Sequence, residues 1–103
     1  MKFDVTQELG GFDGQILMET NQEGQKRAVT LRDSLCAALL AVFPDEQNLP
    51  GSEKAERYLL AQKIYSEDSI DLTVEQVSKL KTLTGKGYAP ATVGPIWAIL
   101  DPQ

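Results

Sequence analysis

Histidine is missing from this chain of 103 residues, and cysteine occurs once, at Cys36. Nucleophilic systems of the Ser-His-Asp and Cys-His kinds need an imidazole, and zinc or copper sites use one in most cases. Acid–base catalysis would therefore depend on carboxylates, Lys or Tyr, and a carboxylate needs burial or a like-charged neighbour to raise its pKa. The acidic residues of this sequence lie in polar stretches, where such shifts are hard to arrange. We therefore predict that the protein is not an enzyme and needs no cofactor.

A group of carboxylates between two predicted helices includes Glu67, Asp68 and Asp71. A calcium-binding helix-loop-helix needs its ligands at fixed loop positions around a glycine. A loop that begins at Glu67 puts Leu72 at the glycine position, and one that begins at Asp68 puts Ile70 at a ligand position. Because no register works, we predict no metal site. The structural interpretation is an acidic helix N-terminus, which the helix dipole favours.

The sequence Gly-Lys-Gly-Tyr at residues 85–88 is superficially similar to a phosphate-binding loop. That motif also needs an earlier glycine, a preceding strand and a Ser or Thr after the lysine, and all three are missing. Tyr88 and Trp97 lie beside this basic stretch, and aromatic residues dominate the energetics of interfaces. Trp97 also has helical spacing with Val93 and Leu100, which is typical of a core residue. The predicted binding residues are Glu67, Asp68, Asp71, Lys86, Tyr88 and Trp97.

The formal net charge is −5 and the isoelectric point is near 4.6. Direct binding to nucleic acid is therefore disfavoured, because it depends on Lys and Arg that neutralise phosphates. The longest apolar run, residues 35–43, is far shorter than the roughly 20 residues of a membrane-spanning helix. Asp4 and Glu8 interrupt the N-terminus where a secretory signal would be apolar. We therefore predict a cytoplasmic protein that binds neither nucleic acid nor membrane.

The first thirty residues carry strand and turn signals. Residues 3–6 alternate apolar with polar side chains, residues 10–14 are rich in glycine, and residues 16–18 could form the returning strand. Ala28 and Val29 could add a brief third strand. We predict a β-hairpin or small meander over residues 1–29.

Apolar periodicity predicts four helices, near residues 31–42, 53–65, 74–84 and 93–100. Thr30 is a suitable N-cap for the first, Thr73 and Gln76 form a capping-box pattern before the third, and Gly85 is suited to end it. The predicted fold is α+β and mainly helical, with a short N-terminal β-hairpin. It is a single domain over residues 1–103, of which residues 30–103 form the helical part.

The first two predicted helices differ in how much of their surface is apolar. Residues 31–42 are apolar on nearly every side, so this helix, including Leu40, should be enclosed by neighbouring elements or by another subunit. The second helix should turn one stripe towards the core. That stripe consists of Ala55, Tyr58, Leu59 and Gln62, beside Ile64 and Tyr65.

Six short segments are distributed over most of the chain, at residues 1–5, 12–14, 29–33, 56–58, 61–64 and 94–97. Together they resemble small uncharacterised proteins of tailed bacteriophages and prophages. The resemblance contains no catalytic or ligand-binding motif. It implies a small acidic accessory protein that binds a host or phage protein in the host cytoplasm. The alternative is a structural or assembly subunit of a phage particle that works as a homo-oligomer.

Overall fold

The computed structural model describes residues 1–101, and four α-helices carry most of the structure in that range. The predicted α+β, mainly helical fold with a hairpin near the N-terminus is confirmed. Pro102 and Gln103, the last residues of the predicted domain, lie outside the described residues. The helices are α1 (Leu31–Leu40), α2 (Gly51–Ser66), α3 (Val74–Gly87) and α4 (Pro90–Leu100), with a short 3-10 turn at Pro44–Glu46. The strands are β1 (Lys2–Asp4), β2 (Met18–Thr20), β3 (Lys26–Ala28) and β4 (Ser69–Asp71).

The strands form two small antiparallel sheets. The hairpin joins β2 to β3, with Met18 opposite Ala28, so the short third strand expected there is confirmed. The expected pairing of residues 3–6 with residues 16–18 is wrong, because β1 pairs with β4 and Phe3 lies opposite Ile70. Phe3 and Ile70 are both buried, and their shared burial selects the partner. Alternation along one segment indicates a strand but does not identify its partner.

Three backbone hydrogen bonds close a ring in the N-terminal meander. The Leu9 amide donates to the Val29 carbonyl at 2.9 Å, the Val29 amide to the Leu17 carbonyl at 2.9 Å, and the Leu17 amide to the Leu9 carbonyl at 2.8 Å. Gly14, with φ of +83°, turns the chain between the first two of these segments, in a conformation that favours glycine. The Leu9 side chain is fully buried, so this part of the meander packs against the core.

The core lies where α1 meets α2 and α3. Leu31 and Leu35 of α1 are fully enclosed, as the periodicity of that helix predicts. Buried residues of the other helices complete the core: Leu60, Ala61, Ile64, Val77, Leu80, Leu83, Ile96 and Leu100. Burial of each large aliphatic side chain stabilises the fold by about 1.5–3 kcal/mol before the entropy of ordering is subtracted.

The boundary between α3 and α4 differs from the prediction. Helix α3 continues through Gly85 to Gly87, and α4 begins at Pro90, so the expected loop at residues 85–90 shrinks to two residues. A Cβ at Gly85 would lie 3.2 Å from Cζ2 of Trp97. Glycine at this position therefore lets the indole pack closely on α3, and it does not end the helix.

An arginine side chain fastens α1 to the end of α2. Arg32 donates to the Ile64 carbonyl at 3.2 Å and to the Glu67 carbonyl at 2.8 Å. Its guanidinium also lies 2.7 Å from the carboxylate of Asp68. The last carbonyls of a helix have no partner within it, and Arg32 supplies one. This contact holds α1 and α2 side by side.

Candidate functional site

Three of the four large apolar side chains that are exposed on α1 and α2 lie beside one groove. Leu40 is 58% exposed, Tyr58 57% and Tyr65 74%. The groove has a volume of about 290 Å³. We call it, with its lining residues, the α1–α2 face: Cys36, Leu40, Tyr58, Ala61, Gln62 and Tyr65.

Helical geometry sets which side chains of α2 reach this face. The buried side of α2 consists of Arg57, Leu60, Ala61 and Ile64. At 3.6 residues per turn, Tyr58 and Tyr65 are two turns apart and lie together at the border of the buried side. Ala61 lies between them and has no side chain beyond Cβ, so it forms a shallow floor.

The predicted inward stripe of α2 is therefore wrong. Ala55, Tyr58, Leu59, Gln62 and Tyr65 are all exposed, and Ile64 alone of the predicted set is buried. The purely aliphatic set of Leu60, Ala61 and Ile64 occupies the core, whereas the tyrosine hydroxyls stay in water. Arg57 lies on the same side of α2 as these three residues, and because a charged residue is expected at the surface, the sequence does not identify this side as the buried one.

Neighbouring elements of the chain do not enclose α1 on every side, so that part of the prediction is wrong, whereas enclosure by another subunit stays a prediction. Helix α1 ends at Leu40, and Ala41 is already extended, so Val42 projects into solvent. Leu35 and Leu39 are buried in the core, whereas Leu40, about 100° further around the helix, is exposed. The apolar run is thus longer than the part of it that the monomer buries.

The α1–α2 face carries no charge and no reactive group. Burial raises the pKa of the Cys36 thiol, so the thiol stays protonated near neutral pH and is a poor nucleophile. Its Sγ lies 3.5 Å from the Ala61 carbonyl. Within residues 1–101, no cluster of three or more His, Cys, Asp or Glu side chains could hold a metal ion. The face can bind apolar and aromatic side chains.

The predicted acidic binding residues lie together at the connector between α2 and α3, where two of them have partners. Asp68 pairs with Arg32. The carboxylate of Asp71 lies 2.8 Å from the N-terminal amine of Met1, and this hydrogen bond lowers the pKa of Asp71. Glu67 is exposed, and only its carbonyl takes part in the contact with Arg32. The role of these residues in binding stays a prediction.

Lys86, Tyr88 and Trp97 bind different neighbours and do not form one site. The Lys86 ammonium lies 3.0 Å from the Asp45 carboxylate. The Tyr88 hydroxyl donates to the Ser34 carbonyl at 2.8 Å, and burial raises its pKa. The Trp97 indole N–H donates to the Lys81 carbonyl and to Thr84 Oγ1, both at 3.1 Å. Each therefore has a structural role, and its use in binding stays a prediction.

A second hollow, of about 490 Å³, lies beside Trp97 and includes Met1 and Val74. The Lys81 ammonium covers the indole ring at 4.9 Å from its centroid and pairs with Asp101 at 2.7 Å. An ion pair therefore shields the aromatic side chain in this hollow, whereas no ammonium or guanidinium group of residues 1–101 lies over the ring of Tyr58 or Tyr65. This difference makes the α1–α2 face the stronger candidate.

No helix of the described chain is both long and apolar enough to span a bilayer. Comparison of the chain with protein-family models, with curated proteins and with solved structures found no match.

Proposed function

We propose that this protein is a non-catalytic interaction domain that binds another protein chain through the α1–α2 face. One observation carries the proposal: Leu40, Tyr58 and Tyr65 are all more than half exposed around an uncharged groove. Single exposed apolar residues are ordinary, but a cluster on one surface is typical of an interaction site.

The chemistry of the face suits a protein partner. Tyrosine is enriched at interfaces because it offers a large rigid area and a polar end that tolerates water before binding. A groove of about 290 Å³ between two helices can receive one or two apolar side chains. The resemblance to small phage proteins supports an accessory role in the host cytoplasm, with a host or phage protein as the partner. A homo-oligomeric assembly role would use the same face and differ in the partner.

The test compares substitutions at two places on α2 where the side chains are all more than half exposed. In Tyr58→Ser/Tyr65→Ser the apolar rim of the face is lost, and in the matched control Leu59→Ser a residue outside the groove changes. We expect both variants to fold, because all three side chains are exposed.

The measurement is affinity capture from host lysate, read by quantitative mass spectrometry, with circular dichroism to check folding. A protein that the wild type and the control retain, and that the double variant loses by at least tenfold, supports the proposal. Equal retention by all three chains contradicts it.

A further inference from the structure

The two tyrosines of the α1–α2 face are placed symmetrically along α2. Tyr58 and Tyr65 each lie about 3.5 residues, or about 5 Å, from the midpoint between Ala61 and Gln62. If a second α2 runs antiparallel about that midpoint, Tyr58 of each copy lies beside Tyr65 of the other. A two-fold dimer requires a surface that complements itself in this way.

The residues at the midpoint suit close contact between two helices. Ala61 is buried beside α1 and has no side chain beyond Cβ, so it adds no bulk on the open side of α2, and two α2 axes can approach to the roughly 8–10 Å of packed helices. Gln62 is exposed, and its amide both donates and accepts hydrogen bonds. Two copies of Gln62 near the axis can therefore satisfy each other.

The charges at the two ends of α2 are also complementary. Lys54 lies one turn before Tyr58 and forms no ion pair with any residue in the described range. Glu67 and Asp68 follow the other end of the helix and are exposed; Asp68 already pairs with Arg32, so of these two Glu67 is the carboxylate without an ion pair among residues 1–101. In an antiparallel pair, Lys54 of each copy meets the acidic end of the other. These two attractions oppose the repulsion between chains of net charge −5.

We propose that the α1–α2 face binds a second copy of this chain, with the two α2 helices antiparallel about the midpoint of Ala61 and Gln62. This inference rests on the proposed function and names the partner. Leu40 lies beside Tyr58 in the groove, so Tyr65 of the second copy covers it. The apolar surface that a single chain leaves open on α1 is then enclosed.

The area of the α1–α2 face limits the expected affinity of the dimer. A large aromatic side chain buries about 150–250 Å², so the three partly exposed side chains supply roughly 400 Å². A stable interface buries about 800 Å² on each partner. Flanking polar residues must supply the rest, and we expect a dimer that dissociates in the micromolar range.

Sedimentation velocity from about 1 μM to 1 mM tests the partner. We expect a concentration-dependent dimer in the wild type and in Leu59→Ser. In Tyr58→Ser/Tyr65→Ser the dissociation constant should rise by at least about 30-fold, because each lost side chain occurs twice in a symmetric interface.

Cysteine cross-linking tests the position of the axis. In a Cys36→Ser background, Gln62→Cys places a thiol near the axis, where two Cα atoms can come within the roughly 4.4–6.8 Å that a disulfide needs. We expect mild oxidation to cross-link this variant efficiently. Leu59→Cys in the same background is the control, since it lies outside the groove and should give little cross-linked dimer.

Charge reversal tests the direction of the helices. Lys54→Glu should weaken the dimer, and adding Glu67→Lys to the same chain should restore it. A parallel pair would place Lys54 against Lys54, so Lys54→Glu would then leave like charges together and Glu67→Lys would give no rescue.

The possible results separate this inference from the proposed function. A wild type that stays monomeric to 1 mM overturns the second copy as partner, and the proposed function then stands or falls on the capture experiment. A dimer that survives Tyr58→Ser/Tyr65→Ser overturns the inference, because the chain then dimerises through another surface, and the capture experiment still decides the proposed function. If these substitutions dissociate the dimer but Gln62→Cys gives no cross-link, the proposed antiparallel arrangement is wrong.

Discussion

Arg57 is a buried cation on α2 that joins three elements of the fold. Its Nη1 donates to Glu46 of the 3-10 turn at 2.9 Å, and its Nε donates to Glu53 of the same helix at 3.3 Å. Lys79 of α3 lies 2.9 Å from Glu53. The hydrogen bond from Arg57 lowers the pKa of Glu46, and the hydrogen bond from Lys79 lowers the pKa of Glu53. The stability of the fold therefore depends on whether the carboxyl groups of Glu46 and Glu53 are ionised.

The first prediction concerns acid. Because the pKa values of Glu46 and Glu53 are lower in the folded chain than their ordinary value of 4.5, the network stabilises the fold at pH values above 4.5. This contribution should be lost as the pH falls through the lowered folded pKa values. Urea unfolding between pH 7 and pH 3 measures it. Glu46→Gln/Glu53→Gln should be less stable at pH 7 and should lose less stability in acid; an unchanged slope would contradict the prediction.

The second prediction concerns Cys36, whose thiol is partly buried between α1 and α2. Because burial raises the pKa of the thiol, the thiolate fraction at pH 7.5 is lower than in an unfolded chain. Alkylation by iodoacetamide should be several-fold slower in the folded protein than in urea, as followed by mass spectrometry. Equal rates would show that the thiol is freely exposed.

At the scale of elements, α3 shows how a local signal determines a helix start. Thr73 Oγ1 accepts from the Gln76 amide at 3.1 Å, and the Gln76 side chain accepts from the Thr73 amide at 2.9 Å. This is the predicted capping box, and it depends on residues three positions apart. Signals of this kind are readable from sequence because the interacting groups are neighbours along the chain.

The third prediction tests this cap. Thr73→Ala should lower the free energy of unfolding by about 1 kcal/mol, because it leaves an amide of the first turn without a partner. Thr82→Ala on the same helix is the control. Its hydroxyl bonds back to the Ser78 carbonyl within the helix and is exposed, so the change should be neutral or slightly stabilising. Equal losses in the two variants in chemical unfolding would rule out a special role for the cap.

Elements whose position depends on distant partners could not be predicted in the same way. The starts of the capped helices α1 and α3 agree with the prediction, whereas their ends do not. The sequence predicts a connector in place of β4, because the strand partner β1 is far away along the chain. The face of α2 was misassigned because two sets of apolar residues share helical spacing. Arg57 lies with the set that is buried because it pairs with Glu46, eleven residues earlier in the chain, and this pairing is not evident from the helix alone. The α1–α2 face was missed for this reason, since its tyrosines were assigned to the core.

At the scale of the whole molecule, α1 divides its apolar residues between the core and an open surface. Leu39 is 2% exposed and Leu40 is 58% exposed, although they are adjacent in sequence. The core of one chain therefore does not use all the apolar surface that the sequence supplies. What remains is concentrated on the face proposed for binding.

The fourth prediction uses these two neighbouring leucines. Leu39→Glu should unfold the chain, because it buries an unpaired carboxylate. Leu40→Glu should stay folded, with a melting temperature within a few degrees of the wild type, and should lose the dimer. Circular dichroism and light scattering measure the two properties. Unfolding by Leu40→Glu would show that the monomer core needs this side chain.

The fifth prediction is that folding needs no divalent cation. Millimolar calcium or EDTA should leave the melting temperature unchanged, since the carboxylates of Asp68 and Asp71 are engaged by an arginine and an amine. A rise of several degrees with calcium would reveal a site that this arrangement does not provide.

The pairing of β1 with β4 also sets an order in which the chain can acquire its structure during synthesis. The β2–β3 hairpin joins neighbouring segments and can form as soon as they emerge, whereas β1 must wait until Ser69–Asp71 has been made. Closing a loop of this length costs chain entropy before any strand contact repays it. Phe3 therefore lacks its strand partner Ile70 while α1 and α2 are being translated. Strand β1 is therefore made well before the segment that completes its sheet.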